Sequence, residues 1–285
     1  MPALATDETI TQIFGKTRTE LTALIEHHSL TAQAWLSSRS PQAMRFQGKG
    51  IQASSTGLKI PLLNLAFGCN FPVGTSEAEI EAEIEALKAF FEARSVPWYW
   101  WMNTSPLPKD IAGLLEKHGL VHYGAPLPAM AASLAQDLTS FPKYPKHIPV
   151  WRAQNLADLR RASKIRRLAF GFPDGEALTY FEDMRSDWLE DDSVKLFLAG
   201  ESESSAAAIG ALIHAAGIPG IYVMATLPDH HRKGLGKAIL ARLLFEAASE
   251  RHALVALTAS KAGFGLYSQF GFQNIFGFDL YAPTK

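Results

Sequence analysis

The stretch that most limits how this chain can fold is Thr226-Leu-Pro-Asp-His-His-Arg-Lys-Gly-Leu-Gly-Lys-Ala238. Before it, Ile221 to Ala225 is apolar and partly β-branched, the pattern of a buried strand. After it, Ala238 to Arg251 carries two apolar rows, Ile239-Leu243-Ala247 and Leu240-Leu244-Ala248, and reads as a helix. Strand, loop and helix follow one another with Gly234 and Gly236 at the entry to the helix. Glycine there leaves no Cβ over the free backbone N–H groups of a first helical turn. Those groups, the positive end of the helix dipole, and Arg232, Lys233 and Lys237 make a candidate anion cradle.

Two familiar phosphate loops do not fit. A G-x-G-x-x-G fingerprint needs its third glycine where Ile239 stands, and a Walker loop needs Ser or Thr where Ala238 follows Lys237. On these residues alone, a G-x-G pair that merely opens a helix is the competing reading.

The 285 residues suffice for one large domain or two of ordinary size. A net charge of -1 and a pI near 6.8 give no electrostatic footprint for nucleic acid or an anionic membrane, so neither is an expected partner. Cys69 stands alone, which excludes a disulfide framework and a cysteine metal cluster, and no metal is expected. The start, Met1-Pro-Ala-Leu-Ala-Thr-Asp-Glu, is acidic where a secretion signal is basic, and the expected location is the cytoplasm. The longest apolar stretch, Ala206 to Leu227, is broken by His214, Gly217, Pro219 and Gly220, so it reads as two buried strands and a turn.

Along the chain, residues 1–40 carry helical spacing, and 41–75 turn to short strands and loops, with Ile60–Phe67 as one strand. Thr75 or Ser76 caps a helix whose Ile80, Ile84, Leu87 and Phe91 face one way, with Glu77, Glu79 and Glu81 in its first turn. Val96–Met102 reads as a strand whose tryptophans are core or domain-interface anchors rather than a ligand cage. Pro108 to His118 reads as a short helix stopped by Gly119. The prolines at 142, 145 and 149 mark a linker. Beyond it come a strand at 150–152, a helix at 156–169, a turn at 172–175, a helix at 178–189, and strands near 195–199 and 207–214. Both halves of the chain end in helix, strand, short helix, glycine and aromatic-rich strand, which suggests an internal duplication.

His231-Arg-Lys-Gly-Leu-Gly236, then a strand at Leu254–Thr258, then Gly265-Leu-Tyr-Ser-Gln-Phe-Gly-Phe272 resembles the GNAT superfamily of N-acetyltransferases. The family's pattern is R/Q-x-x-G-x-G/A followed by an A-x-x-L-Y-x-x-x-G-F type segment. The resemblance covers residues 147–285, and the wording around Ala225 and Ala259 is similar to tandem members with a degenerate first copy. It implies two α+β domains, each a mixed, mostly antiparallel sheet flanked by helices: a degenerate copy over 1–140, a linker at 141–146 and an acetyltransferase domain over 147–285. His231 replaces the usual Arg or Gln and Arg232 the usual Gly, so the cradle would rely on backbone contacts.

By this resemblance, Met224, Ala225 and Thr226 would pair with the pantetheine arm of acetyl-CoA, the co-substrate. His231, Arg232, Lys233, Gly234, Leu235, Gly236, Lys237 and Ala238 would hold its pyrophosphate. An N–H near Ala225 would stabilise the thioester oxygen, and Tyr267 would protonate the leaving thiolate; a core tyrosine is the competing reading. The acceptor would be an amine on a small molecule or peptide, and an oligomer is compatible with the sequence. No general base is assigned: no Glu lies between Gly210 and Thr226, and His214, Glu176 or a water chain are the alternatives. The acidic run from Asp174 to Asp192 reads either as an attractor of cationic amines or as a solvated helix face.

Overall fold

A computed structural model describes residues 3–102, 108, 110–135, 147–173 and 180–284. Helices α1 (Asp7–Phe14) and α2 (Arg18–Ser38) open the chain, followed by strands β1 (Met44–Gln47), β2 (Gln52–Ser55) and β3 (Asn64–Phe67). Then come α3 (Glu77–Glu92), β4 (Tyr99–Met102), α4 (Ile111–Lys117), β5 (Leu120–His122) and β6 (Leu127–Ser133). The second half runs β7 (Val150–Arg152), α5 (Leu156–Phe170), α6 (Tyr180–Asp183), α7 (Arg185–Glu190), β8 (Val194–Gly200), β9 (Ala206–Ala215) and β10 (Ile218–Thr226). It closes with α8 (Leu235–Ser249), β11 (Leu254–Thr258), α9 (Phe264–Gln269) and β12 (Gln273–Pro283). The linker at 141–146 lies outside the described residues, as do Asp174 and Glu176.

The chain divides into two compact units that are not consecutive in sequence. Unit 1 holds residues 33–127 and 277–285, and unit 2 holds 2–32 and 128–276. The cause is an exchange of strands. β6 pairs antiparallel with β11 of unit 2, with Ala131 opposite Ala256, and β12 pairs antiparallel with β4 of unit 1, with Leu280 opposite Trp101. The division therefore departs from a cut at 140–147: prolines punctuate the chain, but strand pairing decides which segments pack together.

Within unit 1 the strands run β1-β2-β3-β4-β12, and β5 adds to the end of β12. Within unit 2 they run β6-β11-β10-β9-β8-β7. Each unit has one parallel pair among its described strands, β3 with β4 and β10 with β11, and each such pair is bridged by the long helix, α3 or α8. That is the mixed, mostly antiparallel α+β architecture.

The apolar rows read from the sequence become the contacts of α8. Ile239, Leu240, Leu243 and Leu244 pack on Phe197, Ala208, Leu212 and Ile221, each large side chain contributing about 1.5–3 kcal/mol on burial. The alternate residues Leu196, Leu198, Ile209, Ala211 and Ile213 are also buried and face the other way; α5 packs against β9 and β10. In unit 1, Trp98 and Trp100 join Ile80, Ile84, Leu87 and Phe91 in one core, as core anchors rather than a cage. Only the second half of Ile60–Phe67 is strand. Pro61, which has no N–H to give a ladder, starts a 3-10 turn at Pro61–Leu63 instead.

Candidate functional site

β10 shapes the site. Its parallel pairing with β11 covers only Gly220 opposite Ala256 and Ile221 opposite Leu257. On its other edge the pairing with β9 continues to Thr226 opposite Ala208. Tyr222 to Thr226 therefore run on with one edge unpaired. A bulge accompanies the split: the register slips between Tyr222/Ala211 and Ala225/Ile209, leaving Val223 and Met224 opposite Gly210. Val223 sits at φ 55°, a left-handed conformation that costs a β-branched residue steric strain. Gly210 accommodates the bulge, since a Cβ there would lie 2.5 Å from Met224 Sδ and 2.5 Å from Ile239 Cγ2. A glycine inside an apolar strand was the sequence signal for this bulge.

Leu227 N–H donates to the Ala207 carbonyl at 2.8 Å. Antiparallel alternation then turns the Ala225 N–H towards β9 and that of Thr226 to the open edge. The Thr226 carbonyl accepts from His231 Nε2 at 2.9 Å, so His231 ties the loop back to the strand end. This is a use of His231 that spacing alone did not show.

The loop enters α8 through Arg232 at φ 61° and Gly234 at φ 88°. Gly234 is the N-cap and supplies no side chain to the free N–H groups; the first turn of α8 contains no acid. Gly236 is not required by packing: a Cβ there would meet Leu266 Cδ2 at 3.5 Å and Thr226 Oγ1 at 3.8 Å, ordinary contacts. What its absence opens is the outer face of the first turn, beside partly exposed Lys237 and exposed Arg232 and Lys233. Leu235 and Ala238 put their side chains in the core, so only their backbone faces the loop. The residues proposed from sequence thus come together as one N–H-rich, positively charged turn at the end of a split strand. An anion is the group such a turn accommodates.

Tyr267 lies on α9, 7% exposed, in the same core cluster as Leu235 and Ile239. Its ring meets Phe272 edge-on at 5.9 Å. Gly263 makes room for it, because a Cβ there would lie 2.8 Å from Tyr267 Cε2. Burial pushes its phenol up to about 12, and no hydrogen bond or charge opposes that shift. The side chain is therefore both a core residue and a phenol kept in its protonated form.

His214 is not part of this turn. It sits at the far end of β9, bonded through Nδ1 to the Ser193 carbonyl at 3.1 Å. Several acids of the 174–192 run have structural work: Glu182 accepts from Ser163 Oγ at 2.5 Å, Asp191 from Ser193 N at 2.8 Å, and Asp192 pairs with Arg152 at 3.5 Å.

Residues 193–274 match the family model described as an Acetyltransferase (GNAT) domain. Among solved structures the chain is similar to a GCN5-related N-acetyltransferase from Kribbella flavida (17% identity, 90% of this chain and 96% of that one, TM-score 0.66). It is also similar to a functionally unknown conserved protein from Staphylococcus epidermidis ATCC 12228 (14%, 83% and 91%, 0.61). A third is a tandem GNAT protein from the clavulanic acid biosynthesis pathway (12%, 94% and 96%, 0.57). No curated protein matches in sequence. At these identities the structural likeness speaks for the fold, and it extends over both units. The chain has the fold of tandem GNAT proteins, and residues 193–274 are the part that matches the GNAT acetyltransferase model.

Proposed function

We propose, with that domain as premise, that unit 2 is an acetyl-CoA-dependent N-acetyltransferase acting by direct transfer to an amine, without an acyl-enzyme intermediate. The observation that carries this reading is the uncapped N-terminus of α8 set at the end of a strand whose neighbouring edge is unpaired. The backbone N–H groups of 231–238, with Arg232, Lys233 and Lys237, would hold the pyrophosphate. The free edge of Met224, Ala225 and Thr226 would hold the pantetheine amides as an added strand does. Acetyl-CoA supplies an acyl carbon bonded to a sulfur that can leave as a thiolate. The Thr226 N–H, next to Ala225 on the open edge, is a donor suited to a developing oxyanion. Tyr267, protonated throughout the neutral range, is the group suited to place a proton on the departing sulfur.

The first copy of the duplicated chain would serve as scaffold or as a wall for the acceptor. The protein would work as a cytoplasmic enzyme on a small-molecule or peptide amine. Among the described residues, no helix is long and apolar enough to cross a membrane.

A second reading is a non-catalytic acyl-CoA-binding or regulatory protein. It is favoured by the lack of any Glu between Gly210 and Thr226. Release of free thiol from acetyl-CoA, followed with a panel of amines and mass detection of the acetylated product, separates the two. The enzyme releases thiol in step with an acetylated amine. Saturable binding with no amine-dependent thiol release assigns the regulatory role instead.

A further inference from the structure

Three side chains outside the transfer site meet at the opposite end of unit 2. His214 closes β9, Glu250 is the C-cap of α8, and His252 lies in the turn before β11. The β9–β10 register places them: Thr226 stands opposite Ala208 beside the loop, whereas Ile218 stands opposite Ala215 at the other end. The two caps of α8, Gly234 and Glu250, lie about 24 Å apart along the helix. His214 Nε2 lies 2.5 Å and His252 Nε2 3.6 Å from Glu250 Oε2. All three atoms fall within 4.8 Å of one another.

For a neutral imidazole, hydrogen-bond accounting leaves this contact unexplained. His214 Nδ1 is 3.1 Å from the Ser193 carbonyl, which only accepts, so Nδ1 carries a proton. In the neutral ring, Nε2 then points a lone pair at a carboxylate oxygen that also has only lone pairs to offer. His214 Nε2 and Glu250 Oε2 are both buried atoms without a hydrogen-bond partner, so their approach lacks the geometry of an N–H donating to oxygen. The other Glu250 oxygen, Oε1, is taken by Lys195 Nζ at 2.5 Å, and Glu246 balances that ammonium at 2.9 Å. Two buried lone-pair atoms in contact, with a second imidazole converging on them, are the donor set of a cation.

We propose that His214, Glu250 and His252 form a binding site for a divalent first-row transition metal, with Zn²⁺ the best-suited ion. Two imidazoles and a carboxylate match its nitrogen and oxygen preferences and leave a fourth position for water. Mg²⁺ and Ca²⁺ prefer oxygen donors and are poor occupants. At bond lengths of about 2.0–2.2 Å in a tetrahedron, the ligand atoms would sit roughly 3.3 Å apart, a short adjustment from the distances here. The Ser193 carbonyl orients His214 as outer partners commonly orient metal-bound histidine. The bound ion staples the end of β9, the end of α8 and the start of β11, and so fixes the helix from the end opposite its anion-binding turn.

The test is calorimetric titration of the chelator-stripped full chain with Zn²⁺, with Mg²⁺ as the comparison ion and Co²⁺ absorption as the report of geometry. The site gives one saturable Zn²⁺ per chain, no comparable Mg²⁺ binding and the intense visible bands of four-coordinate Co²⁺. His252→Gln, at a partly exposed position, and Glu250→Gln each weaken Zn²⁺ by about tenfold or more. His122→Gln, in unit 1, leaves the affinity unchanged. Absence of saturable Zn²⁺ binding, retained affinity in the folded His252→Gln and Glu250→Gln variants, or loss of affinity in His122→Gln each overturns the proposal.

Discussion

The two long helices α3 and α8 follow the same order of elements yet treat their N-termini in opposite ways. At α3, Ser76 Oγ accepts from Glu79 N–H at 3.3 Å, and Glu79 Oε2 accepts from Ser76 N–H at 3.0 Å. Lys49 holds that carboxylate at 2.9 Å, and its hydrogen bond leads the interactions that lower the Glu79 carboxyl to about 2. At α8 the cap is Gly234, with neither side chain nor acid to fill the turn. The preceding strands differ in the same sense. β3 pairs with β4 from Leu65 to its last residue, Phe67, opposite Trp101, and Trp100 Nε1 closes the end by donating to the Gly68 carbonyl at 2.7 Å. β10 leaves β11 after Ile221. The α3 turn satisfies its own polar groups with side chains, and the α8 turn has no side-chain cap. On the proposed reading, a few local hydrogen bonds close the α3 turn to an anion while the α8 turn stays open to one.

The largest expected effect comes from giving α8 the acid that α3 already has. Gly236→Glu places a carboxylate on the outer face of the first turn, where it takes up the helix dipole and repels a pyrophosphate. Acetyl-CoA affinity should fall about 100-fold or more, equivalent to roughly 3 kcal/mol. Titration of the folded variant checks this. Unchanged affinity would remove the turn as the anion site. The wild-type chain should bind one acetyl-CoA, and a stoichiometry of two would break the contrast between the copies.

Next in size is the effect on chemistry. Tyr267→Phe keeps the ring against Phe272 and removes the hydroxyl, so affinity should hold while turnover falls by about 100-fold, the lower range for a lost general acid. The pH dependence follows from burial. A phenol raised to about 12 stays protonated well above the ordinary value near 10, so Tyr267 should impose no alkaline loss of activity between pH 8 and 10. The same shift stabilises the fold below pH 10, and that contribution disappears as pH rises towards 12. A rate per folded molecule that is normal in the variant, with only its melting temperature lowered, would make Tyr267 a core residue and nothing more.

How much of this contrast could be read beforehand depended on how local its causes are. The α3 cap and the G-x-G entry to α8 are contiguous, and both were legible; so was β11, to the residue. β6 was missed because Pro128 and small residues hide its pattern, and its pairing with β11 joins segments more than a hundred residues apart. The bulge needed the register of β9 against β10. The His214, Glu250 and His252 cluster needed three separated segments brought to one point. The motif groups Leu235 and Ala238 with the loop, whereas helix periodicity buries their side chains.

A smaller effect tests the closed copy. Ser76→Ala removes the α3 cap and should cost about 1 kcal/mol, read as a lowered unfolding midpoint. Glu79 adds a pH signature. Its carboxyl is depressed, so the stability it contributes is present above its ordinary value near 4.5 and is lost as pH falls towards about 2. The Ser76→Ala variant should still not bind a second acetyl-CoA, because β3 remains paired to its end. Binding in this variant would show that the cap alone keeps the first copy closed.

The smallest expected effect compares the two strands through glycine. At residue 223 the backbone is left-handed, so any Cβ there carries strain, whereas Ala66 in β3 lies in a regular strand, paired with Ala53 and Trp100. Val223→Gly should be more stable than Val223→Ala by about 1 kcal/mol, since glycine alone adopts that conformation without a steric cost. Ala66→Gly should be less stable than wild type by a similar amount, because there glycine brings only extra freedom to the unfolded chain. Using alanine as the reference at 223 removes the lost valine packing from the difference. Denaturant midpoints of the three variants and wild type measure both differences. Opposite signs at the two positions locate the strain in the split strand. Equal signs would mean that β10 runs through residue 223 as an ordinary strand, and that its separation from β11 has another cause.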